Sequence, residues 1–357
     1  MPVNGELTRI LRAAAAGLVL AASGLAGTRA EVLAADRAAL PAGSAAVKPG
    51  HLYSVAVTSA GNAWAVGEYI FDDDAYNTQI LHWNGTRWIR GGGLKLAEFS
   101  SLSGVAATSA RNAWAVGQDA SGLTSALIEH WNGATWTRVP SASPATDHLF
   151  AVAATSARNA WAVGDGLIEQ WNGTRWTQVP GAAGWLTAVA ATSARNAWAV
   201  GKRSLDKRTP PLIEHWNGAT WTQVPVARIS GGLQGVAASS ATDAWAVGGT
   251  YQGKALILHW NGTAWKRVFI PKTAGASLVS VAATSARDVW VAGNTDHGGT
   301  PLIELWNGSR WRRLPAPKAA GFLRSVAAAS ARDAWAVGQF TILHWNGTRW
   351  NCSPCGL

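Results

Sequence analysis

The sequence predicts an all-β protein, a seven-bladed β-propeller made of four-stranded antiparallel blades. Two phrases carry this prediction: Asn-Ala-Trp-Ala-Val-Gly and its close variants occur seven times, and Trp-Asn-Gly-x-x-Trp also occurs seven times. Successive copies of the first phrase are 37 to 50 residues apart. A repeat of about 45 residues with four short strands is typical of a propeller blade, which buries its faces only against neighbouring blades.

The four strands of each unit follow in a fixed order. The first strand, as at 102–109, is apolar on both faces, which is expected of a strand packed between two sheets. An Asn or Asp turn leads into the second strand, because Asx side chains bond to nearby backbone. The third strand is followed by Asn-Gly, which favours a two-residue hairpin turn. The fourth strand begins at the last Trp of the unit, and Pro and basic residues along it would protect the exposed edge.

Tryptophan is unusually frequent, and its positions follow the repeat. Of the 22 tryptophans, 21 fall in three columns of the unit. The first column is Trp64, Trp114, Trp161, Trp198, Trp245, Trp290 and Trp335. The second is Trp83, Trp131, Trp171, Trp216, Trp260, Trp306 and Trp345. The third is Trp88, Trp136, Trp176, Trp221, Trp265, Trp311 and Trp350. Residues that every blade carries are predicted to serve folding, so these columns should pack between blades, and only Trp185 remains as a functional candidate.

Histidine and glutamate also recur at fixed positions of the third strand. The histidines are His82, His130, His215, His259 and His344, and the glutamates are Glu129, Glu169, Glu214 and Glu304. Side chains spaced around a ring are too far apart to share a metal ion. Both columns are therefore interpreted as structural, and the sequence predicts no metal site and no cofactor.

The first residues resemble a secretory signal peptide. Arg9 and Arg12 precede an apolar run over 13–26, and a small-residue stretch ending at Ala30 follows. The run is too short to cross a membrane, which needs about 20 apolar residues. We predict a signal peptide at 1–30, a flexible lead-in at 31–50 and the propeller at 51–357, with a retained anchor as the alternative. The mature protein would be secreted, without a membrane span.

Two further features follow from composition. The chain has only two cysteines, Cys352 and Cys355, and their Cys-x-x-Cys spacing in an exported protein favours a local disulfide. Thirty Lys+Arg against 20 Asp+Glu give a net charge of +10. Basic residues on the fourth strands are expected to spread much of this charge around the rim of the disc. Without a recognisable reader motif, the charge does not predict a nucleic-acid partner.

Ligand candidates are expected where the blades differ. The first-to-second and third-to-fourth turns are nearly constant and share one face of the disc, here called the constant face. The other connections vary and share the opposite face, here called the variable face, and binding residues concentrate on such variable loops. The candidate residues on the variable face are His51, Tyr53, Glu68, Gln118, His148, Phe150, Asp165, Trp185, Lys202, Asn294, Phe322 and Gln339. Polar groups beside isolated aromatics suit a carbohydrate, and solvated loop decoration is the alternative.

The repeated unit, with Ala-Trp-Ala-Val-Gly followed by His-Trp-Asn-Gly-Thr-x-Trp, resembles the blades of sialidase-type (Asp-box) propellers and, more closely, photosystem II assembly factor-like propellers. The resemblance covers 51–351. An Asp-box runs Ser/Thr-x-Asp-x-Gly-x-x-Trp, and here Leu81 and Trp83 replace its hydroxyl residue and its Asp. The box is degenerate, so the resemblance implies the fold rather than an activity. A sialidase-like enzyme would need an arginine cluster and a Tyr with a Glu partner, and no loop shows three arginines.

The sequence thus predicts a secreted, non-catalytic and monomeric propeller that binds a ligand, a carbohydrate, on its variable face. Two alternatives remain open. One is a protein–protein interaction scaffold at the cell envelope, with a cell-envelope protein as its partner. The other is a glycoside hydrolase.

Overall fold

The computed structural model describes residues 47–72, 75–120, 125–143, 148–181, 184–203, 209–226, 229–270, 275–295, 299–317 and 320–355. Within them the chain forms seven four-stranded antiparallel sheets and no helix, so the predicted all-β, seven-bladed architecture is confirmed. The predicted signal peptide and the lead-in up to residue 46 lie outside these ranges and stay predictions. None of the described segments forms a helix long and apolar enough to cross a membrane.

The strands of each blade are called A to D in chain order, and all 28 are numbered along the chain. Blade 1 contains β1 (His51–Ser59), β2 (Asn62–Asp72), β3 (Ala75–Trp83) and β4 (Trp88–Arg90). Blade 2 contains β5 (Ser101–Ser109), β6 (Asn112–Asp119), β7 (Ser125–Trp131) and β8 (Trp136–Arg138). Blade 3 contains β9 (Leu149–Ser156), β10 (Asn159–Gly164), β11 (Ile168–Trp171) and β12 (Trp176–Gln178). Blade 4 contains β13 (Trp185–Ser193), β14 (Asn196–Lys202), β15 (Pro211–Trp216) and β16 (Trp221–Gln223).

The last three blades repeat the same order. Blade 5 contains β17 (Gly231–Ser240), β18 (Asp243–Thr250), β19 (Ala255–Trp260) and β20 (Trp265–Val268). Blade 6 contains β21 (Ser277–Ser285), β22 (Asp288–Thr295), β23 (Thr300–Trp306) and β24 (Trp311–Arg313). Blade 7 contains β25 (Leu323–Ser330), β26 (Asp333–Gly338), β27 (Thr341–Trp345) and β28 (Trp350–Cys355). Neighbouring A strands pack against one another all the way round, and β25 packs against β1, so the ring is closed.

Tryptophan packing joins each blade to the next. Every first-column Trp is buried, with 2% or less of its surface exposed. Trp64 of blade 1 lies 5.1 Å from Trp131 and 5.2 Å from Trp136 of blade 2, measured between ring centroids. The second contact is edge-to-face, the geometry that aromatic quadrupoles favour. Trp335 of blade 7 makes the same contacts with the second- and third-column tryptophans of blade 1. The prediction that the columns pack between blades is confirmed.

The histidine column belongs to a hydrogen-bonded network behind these tryptophans. In blade 2, His130 Nε2 lies 2.8 Å from Asn112 Oδ1, and Asn112 Nδ2 donates to Thr108 Oγ1 at 2.7 Å. The imidazole packs over Trp114, with centroids 4.2 Å apart. Burial lowers the pKa of His130, which favours the neutral ring. The column is structural, as predicted, and no group of potential metal ligands occurs in the described ranges.

The C–D turn differs from the two-residue hairpin predicted from Asn-Gly. Trp83 pairs with Trp88 across a four-residue loop. Asn84 Oδ1 accepts the backbone N–H groups of Thr86 at 3.1 Å and Arg87 at 3.0 Å. Of the pair, only Gly85 has positive φ, at 92°. The two-residue prediction was wrong because the Asn side chain closes the loop itself, so a second left-handed residue is not needed.

A β-bulge explains the glycine that follows the Trp-Ala-Val or Trp-Val-Ala sequence in each B strand. In blade 2, Leu102 pairs with Gly117 and Gly104 with Val116, so Ser103 is an extra residue in strand A. The same shift occurs in all seven blades. A Cβ atom added to Gly117 would lie 2.0 Å from the carbonyl oxygen of Ser101. The bulged strand therefore approaches strand B too closely for any side chain at this position.

Replacing this glycine should disturb the blade. We expect Gly117→Ala to lower the free energy of unfolding by about 1–3 kcal/mol, because the new methyl must displace backbone. The measurement is denaturant unfolding followed by circular dichroism. Gly61→Ala is the matched control, since a Cβ there meets nothing closer than 4.0 Å. Equal losses in the two variants would show that the close approach at Gly117 is not limiting.

The glutamate column lies in the blade-to-blade interfaces. Glu129, Glu169, Glu214 and Glu304 are all buried, with 3% or less exposed. Glu129 Oε2 accepts the backbone N–H of Leu94 at 3.3 Å, so this carboxyl anchors the connection between blades 1 and 2. Burial raises the pKa of Glu129 to about 7, and the charge of Arg138 offsets only part of that rise. The structural interpretation of this column agrees with these contacts.

Cys352 lies half-buried in strand β28 and is disulfide-bonded. The chain has one other cysteine, Cys355, whose side chain lies outside the described part.

Candidate ligand-binding face

The two faces of the disc differ in how their turns are built. On the constant face, the A–B and C–D turns of each blade touch. In blade 2, Trp131 Nε1 donates to the carbonyl oxygen of Ala110 at 3.0 Å, and the stem of Arg111 packs against Gly133. On the variable face, the connections differ in length and sequence from blade to blade. Connections on the variable face can therefore change in length and sequence, whereas the turns on the constant face are held by their contacts with each other.

The constant face carries further positive charge, in addition to the basic residues predicted on the rim. Nine exposed arginines lie in its turns, here called the turn arginines: Arg87, Arg111, Arg158, Arg175, Arg195, Arg287, Arg310, Arg332 and Arg349. The expectation missed them because the arginines of two separate turns come together only when each blade folds.

Three circles of residues surround the inner strands at the variable face. The leading circle precedes the buried leucine of strand A: His51, Ser101, His148, Trp185, Gly232, Ser277 and Phe322. The bulge circle is the extra residue: Tyr53, Ser103, Phe150, Thr187, Gln234, Val279 and Arg324. The trailing circle follows the glycine of strand B: Glu68, Gln118, Asp165, Lys202, Gly249, Asn294 and Gln339. All twelve candidate residues fall in these circles, at one end of the A and B strands.

The junction of blades 7 and 1 holds a polar cluster. Tyr53 donates its hydroxyl to Glu68 Oε1 at 2.8 Å, and His51 Nδ1 lies 3.2 Å from the same oxygen. Burial, together with the Glu68 charge and hydrogen bond, raises the pKa of Tyr53 above its usual range, and Arg324 of blade 7 opposes the rise. The phenol is therefore held as a protonated donor to Glu68.

Phe340 adds an aromatic ring to this junction. It lies in the two-residue B–C turn of blade 7, and its backbone N–H donates to the carbonyl oxygen of Gly50 at 3.0 Å. Its ring centroid is 4.8 Å from that of His51, and 38% of its surface is exposed. Its φ of 54° is unusual for a bulky residue and costs free energy, as is common at functional sites. The turn thus holds an exposed phenyl ring beside the Glu68 cluster.

Trp185 has a partner that its sequence position does not reveal. It pairs with Lys202 across strands β13 and β14, and Lys202 Nζ lies 5.2 Å from the indole centroid. Burial lowers the pKa of Lys202, and the charge of Asp165 opposes this. Asp165 also forms a backbone bridge to Trp185 from blade 3. The ammonium group therefore covers part of the indole that was expected to be free for a ligand.

The remaining candidates occupy separate parts of the face. Asn294 is buried, and its amide exchanges two hydrogen bonds with the backbone of Leu323 at 3.0 and 2.9 Å, which joins blade 6 to blade 7. Gln118, His148 and Phe150 are half-buried in blades 2 and 3. Phe322 and Gln339 are exposed in blade 7. Register alone reveals the bulge circle, so sequence reasoning missed Ser103, Thr187, Gln234 and Val279.

Exposed large apolar side chains gather on the variable face. In the described ranges they are Tyr69, Ile70, Phe71, Phe99, Phe269, Phe322 and Phe340. Phe99, Phe269 and Phe322 lie in D–A connections and Phe340 lies in a B–C turn. The other three lie near the end of β2, in the B–C hairpin of blade 1, whose strands of 11 and 9 residues are the longest such pair in the described ranges. Exposed apolar surface on one face of a protein is a feature of interaction sites.

The fold and the two faces define a seven-bladed propeller with a uniform constant face and a variable face whose connections differ from blade to blade. No family model matches the chain, and no curated protein matches it. Among solved structures, it is similar to YCF48 bound to a D1 peptide, with 15% identity and a TM-score of 0.60 over 83% of this chain and 93% of that one. It is also similar to YCF48 from Cyanidioschyzon merolae, with 15% identity and a TM-score of 0.57 over 84% and 96%. U3-55K matches with 13% identity and a TM-score of 0.58 over 81% and 88%. The predicted resemblance to photosystem II assembly factor-like propellers is confirmed at the level of the fold.

Proposed function

We propose that the protein is a non-catalytic binding propeller that holds a polypeptide segment on its variable face, at the junction of blades 7 and 1. The observation that carries this proposal is that the seven exposed large apolar side chains of the described ranges all lie on that face. Apolar residues scattered over the whole surface are ordinary, whereas exposed apolar side chains confined to one face favour a protein partner.

The junction of blades 7 and 1 combines exposed aromatic surface with a hydrogen-bond acceptor, and a polypeptide segment can use both. Phe322 and Phe340 supply exposed aromatic surface, and the Glu68 carboxylate supplies an acceptor beside them. Aromatic anchors surrounded by a few polar groups are the usual centre of a protein interface. The similar fold of YCF48, whose solved structure carries a D1 peptide, supports the same class of ligand.

Carbohydrate binding was the expectation from sequence, and one contact makes it the weaker proposal. A sugar stacks on an open aromatic face, yet Lys202 Nζ lies over the Trp185 indole. Secretion and a partner at the cell envelope remain part of the proposal, resting on the signal-like residues 1–30.

The non-catalytic part of the proposal rests on the same junction. Tyr53 and Glu68 form the Tyr–Glu pair that the sialidase-type resemblance requires. The three circles, however, supply a single arginine, Arg324, where such an enzyme needs a cluster. A general glycosidase needs two paired carboxylates. Glu68 pairs with His51 in blade 1, whereas Asp165 of blade 3 bridges to Trp185. Turnover of a sialoside or another glycoside by the protein would contradict this part.

A peptide selection tests the function. Peptides from a random phage-displayed library are selected on the immobilised full chain, and their affinities are measured by calorimetry. We expect Phe322→Ala combined with Phe340→Gly to weaken the selected peptides by about tenfold or more, because both aromatic anchors are lost. Stability should not fall, since glycine adopts the positive φ at position 340 without strain.

Phe269→Ala is the control, because that exposed phenyl ring lies in the connection between blades 5 and 6. It should leave the affinity unchanged. If no peptide is selected, or if the protein is retained on a glycan array and Trp185→Ala abolishes that retention, the polypeptide proposal is wrong.

A further inference from the structure

The constant face carries charge that the proposed peptide site does not use. Each turn arginine is exposed, and none forms an ion pair within the described ranges. The only carboxylates in these turns are Asp243, Asp288 and Asp333, which are buried or half-buried. Asp243 and Asp333 bond to histidines at 2.8 and 2.7 Å, and Asp288 accepts a hydrogen bond from Thr284. The exposed layer of this face is therefore positive without a counter-charge.

The turn arginines are presented by rigid backbone. In blade 3, the backbone N–H of Arg158 donates to Ser156 Oγ at 3.2 Å. The Cβ and Cγ of Arg158 pack where a Cβ on Gly173 would meet them at 3.2 Å. The same packing joins Arg332 to Gly347 in blade 7. The arginines of the A–B turns thus pack through their Cβ and Cγ atoms on a neighbouring glycine, whereas those of the C–D turns are held by their backbone, as where the N–H of Arg310 donates to Asn307 Oδ1 at 3.0 Å.

The constant face is also uniform from blade to blade. Every blade joins its A and B strands by the same short turn and its C and D strands by the same four-residue loop. The turn arginines come from six of the seven blades. A surface that contacts them all must be broad.

Tryptophan side chains also lie near the turns of the constant face. Five second-column residues, including Trp83, Trp131 and Trp171, are half-buried beside the constant-face turns. Their Nε1 groups donate to the A–B turn, as at Ala60 and Ala157, both at 3.0 Å. Indoles with one polar and one apolar side are enriched at membrane–water interfaces.

We propose that the constant face docks on the surface of an anionic lipid bilayer. Each basic residue near such a surface strengthens binding about fivefold, and the turn arginines act together because they lie on one face. A linear polyanion would contact only one arc of the ring, so charge spread over six blades favours a layer of lipid headgroups. Docking this way would leave the variable face pointing away from the bilayer, free for its own ligand.

The test measures co-sedimentation of the full chain with vesicles. Vesicles of phosphatidylglycerol mixed with phosphatidylcholine should bind it at about 0.1 M salt and release it at about 1 M, where charges are screened within a few ångströms. The variant combines Arg287→Gln, Arg310→Gln, Arg332→Gln and Arg349→Gln in the adjoining blades 6 and 7. Its affinity should fall by on the order of a hundredfold or more. Glutamine keeps the Cβ and Cγ atoms by which Arg287 and Arg332 pack on glycines and the backbone N–H groups by which Arg310 and Arg349 bond to Asn side chains, so circular dichroism should be unchanged.

The control removes the same charge from the rim, with Arg90→Gln, Lys266→Gln, Arg267→Gln and Arg312→Gln on the D strands. This control should bind vesicles nearly as well as the native chain. Residues 1–46 are identical in all three proteins, so any contribution from them cancels. Equal losses in both variants would mean that net charge alone is responsible and would overturn the proposal. So would binding to heparin or DNA without binding to vesicles, or failure of the native chain to bind phosphatidylglycerol vesicles. Peptide binding is measured separately, so either proposal can fail alone.

Discussion

Trp161→Ala is expected to lower the free energy of unfolding by about 3–5 kcal/mol, the largest effect of any single substitution considered for this protein. Trp161 is fully buried in blade 3, and its ring centroid lies 4.8 Å from Trp216 and 5.1 Å from Trp221 of blade 4. The truncation removes apolar contacts from two blades at once and leaves a cavity that the neighbouring sheets are too rigid to fill. Denaturant unfolding followed by far-ultraviolet circular dichroism measures the loss.

Trp185→Ala is the matched control for this prediction. It removes the one tryptophan outside the columns, which is half-buried and packs on Lys202 of its own blade. We expect a loss of about 1 kcal/mol or less. If the two variants lose stability equally, the first column is not the main interblade contact.

Glu129→Gln is expected to stabilise the protein in a pH-dependent way. The folded pKa of Glu129 is raised to about 7 by burial, from an ordinary value near 4.5. Between these values the folded state binds more protons than the unfolded state, so the ionised carboxyl costs stability increasingly as pH rises. Above pH 7 the full cost is on the order of 3 kcal/mol. Glutamine cannot ionise, and its carbonyl oxygen can still accept the N–H of Leu94.

Thermal unfolding at about pH 8 and about pH 4 checks this sign, since both states bind the proton at the lower pH. The variant should unfold at a higher temperature than the native protein at pH 8, and the difference should disappear at pH 4. Glu98→Gln, at an exposed position of the connection between blades 1 and 2, is the control and should show no such dependence. A variant that is less stable at pH 8 would mean that attraction to Arg138 outweighs burial.

The repeat made most of the fold predictable. Seven copies of two tryptophan phrases predict seven blades, and the column rule correctly assigned residues such as Trp114 to packing between blades. His130 was predicted only to be structural, and its hydrogen bond to Asn112 is a finding of the structure. The C–D turn was the failure. Asn-Gly usually closes a two-residue hairpin through local φ preferences, whereas here the Asn84 side chain accepts two backbone N–H groups and lengthens the loop to four residues.

The candidate site was predictable in place but not in detail. Variable connections pointed to one face, and the twelve candidates lie in three circles on it. Two contacts were not predicted, because one joins opposite ends of the propeller and the other depends on the pairing register of two neighbouring strands. Phe340 packs on His51 across the closure of the ring, and Lys202 covers Trp185. The sequence did not show which residues form the bulge circle, because a bulge is defined only when two strands are aligned by their hydrogen bonds.

The sequence by itself determined the blade number, the order of strands and the residues that join neighbouring blades. The same pattern of strands and tryptophans occurs seven times, so each copy predicts the same blade. The burial of indole between sheets follows from its large apolar surface. Only the tertiary structure decided how the two faces differ. Hydrogen-bonding register set the bulges and placed Tyr53 against Glu68. Ring closure brought Phe340 to His51. Folding of each blade brought its A–B and C–D turns side by side. The turn arginines therefore share one face of the disc, because they lie where strands end and not because they are neighbours in the sequence.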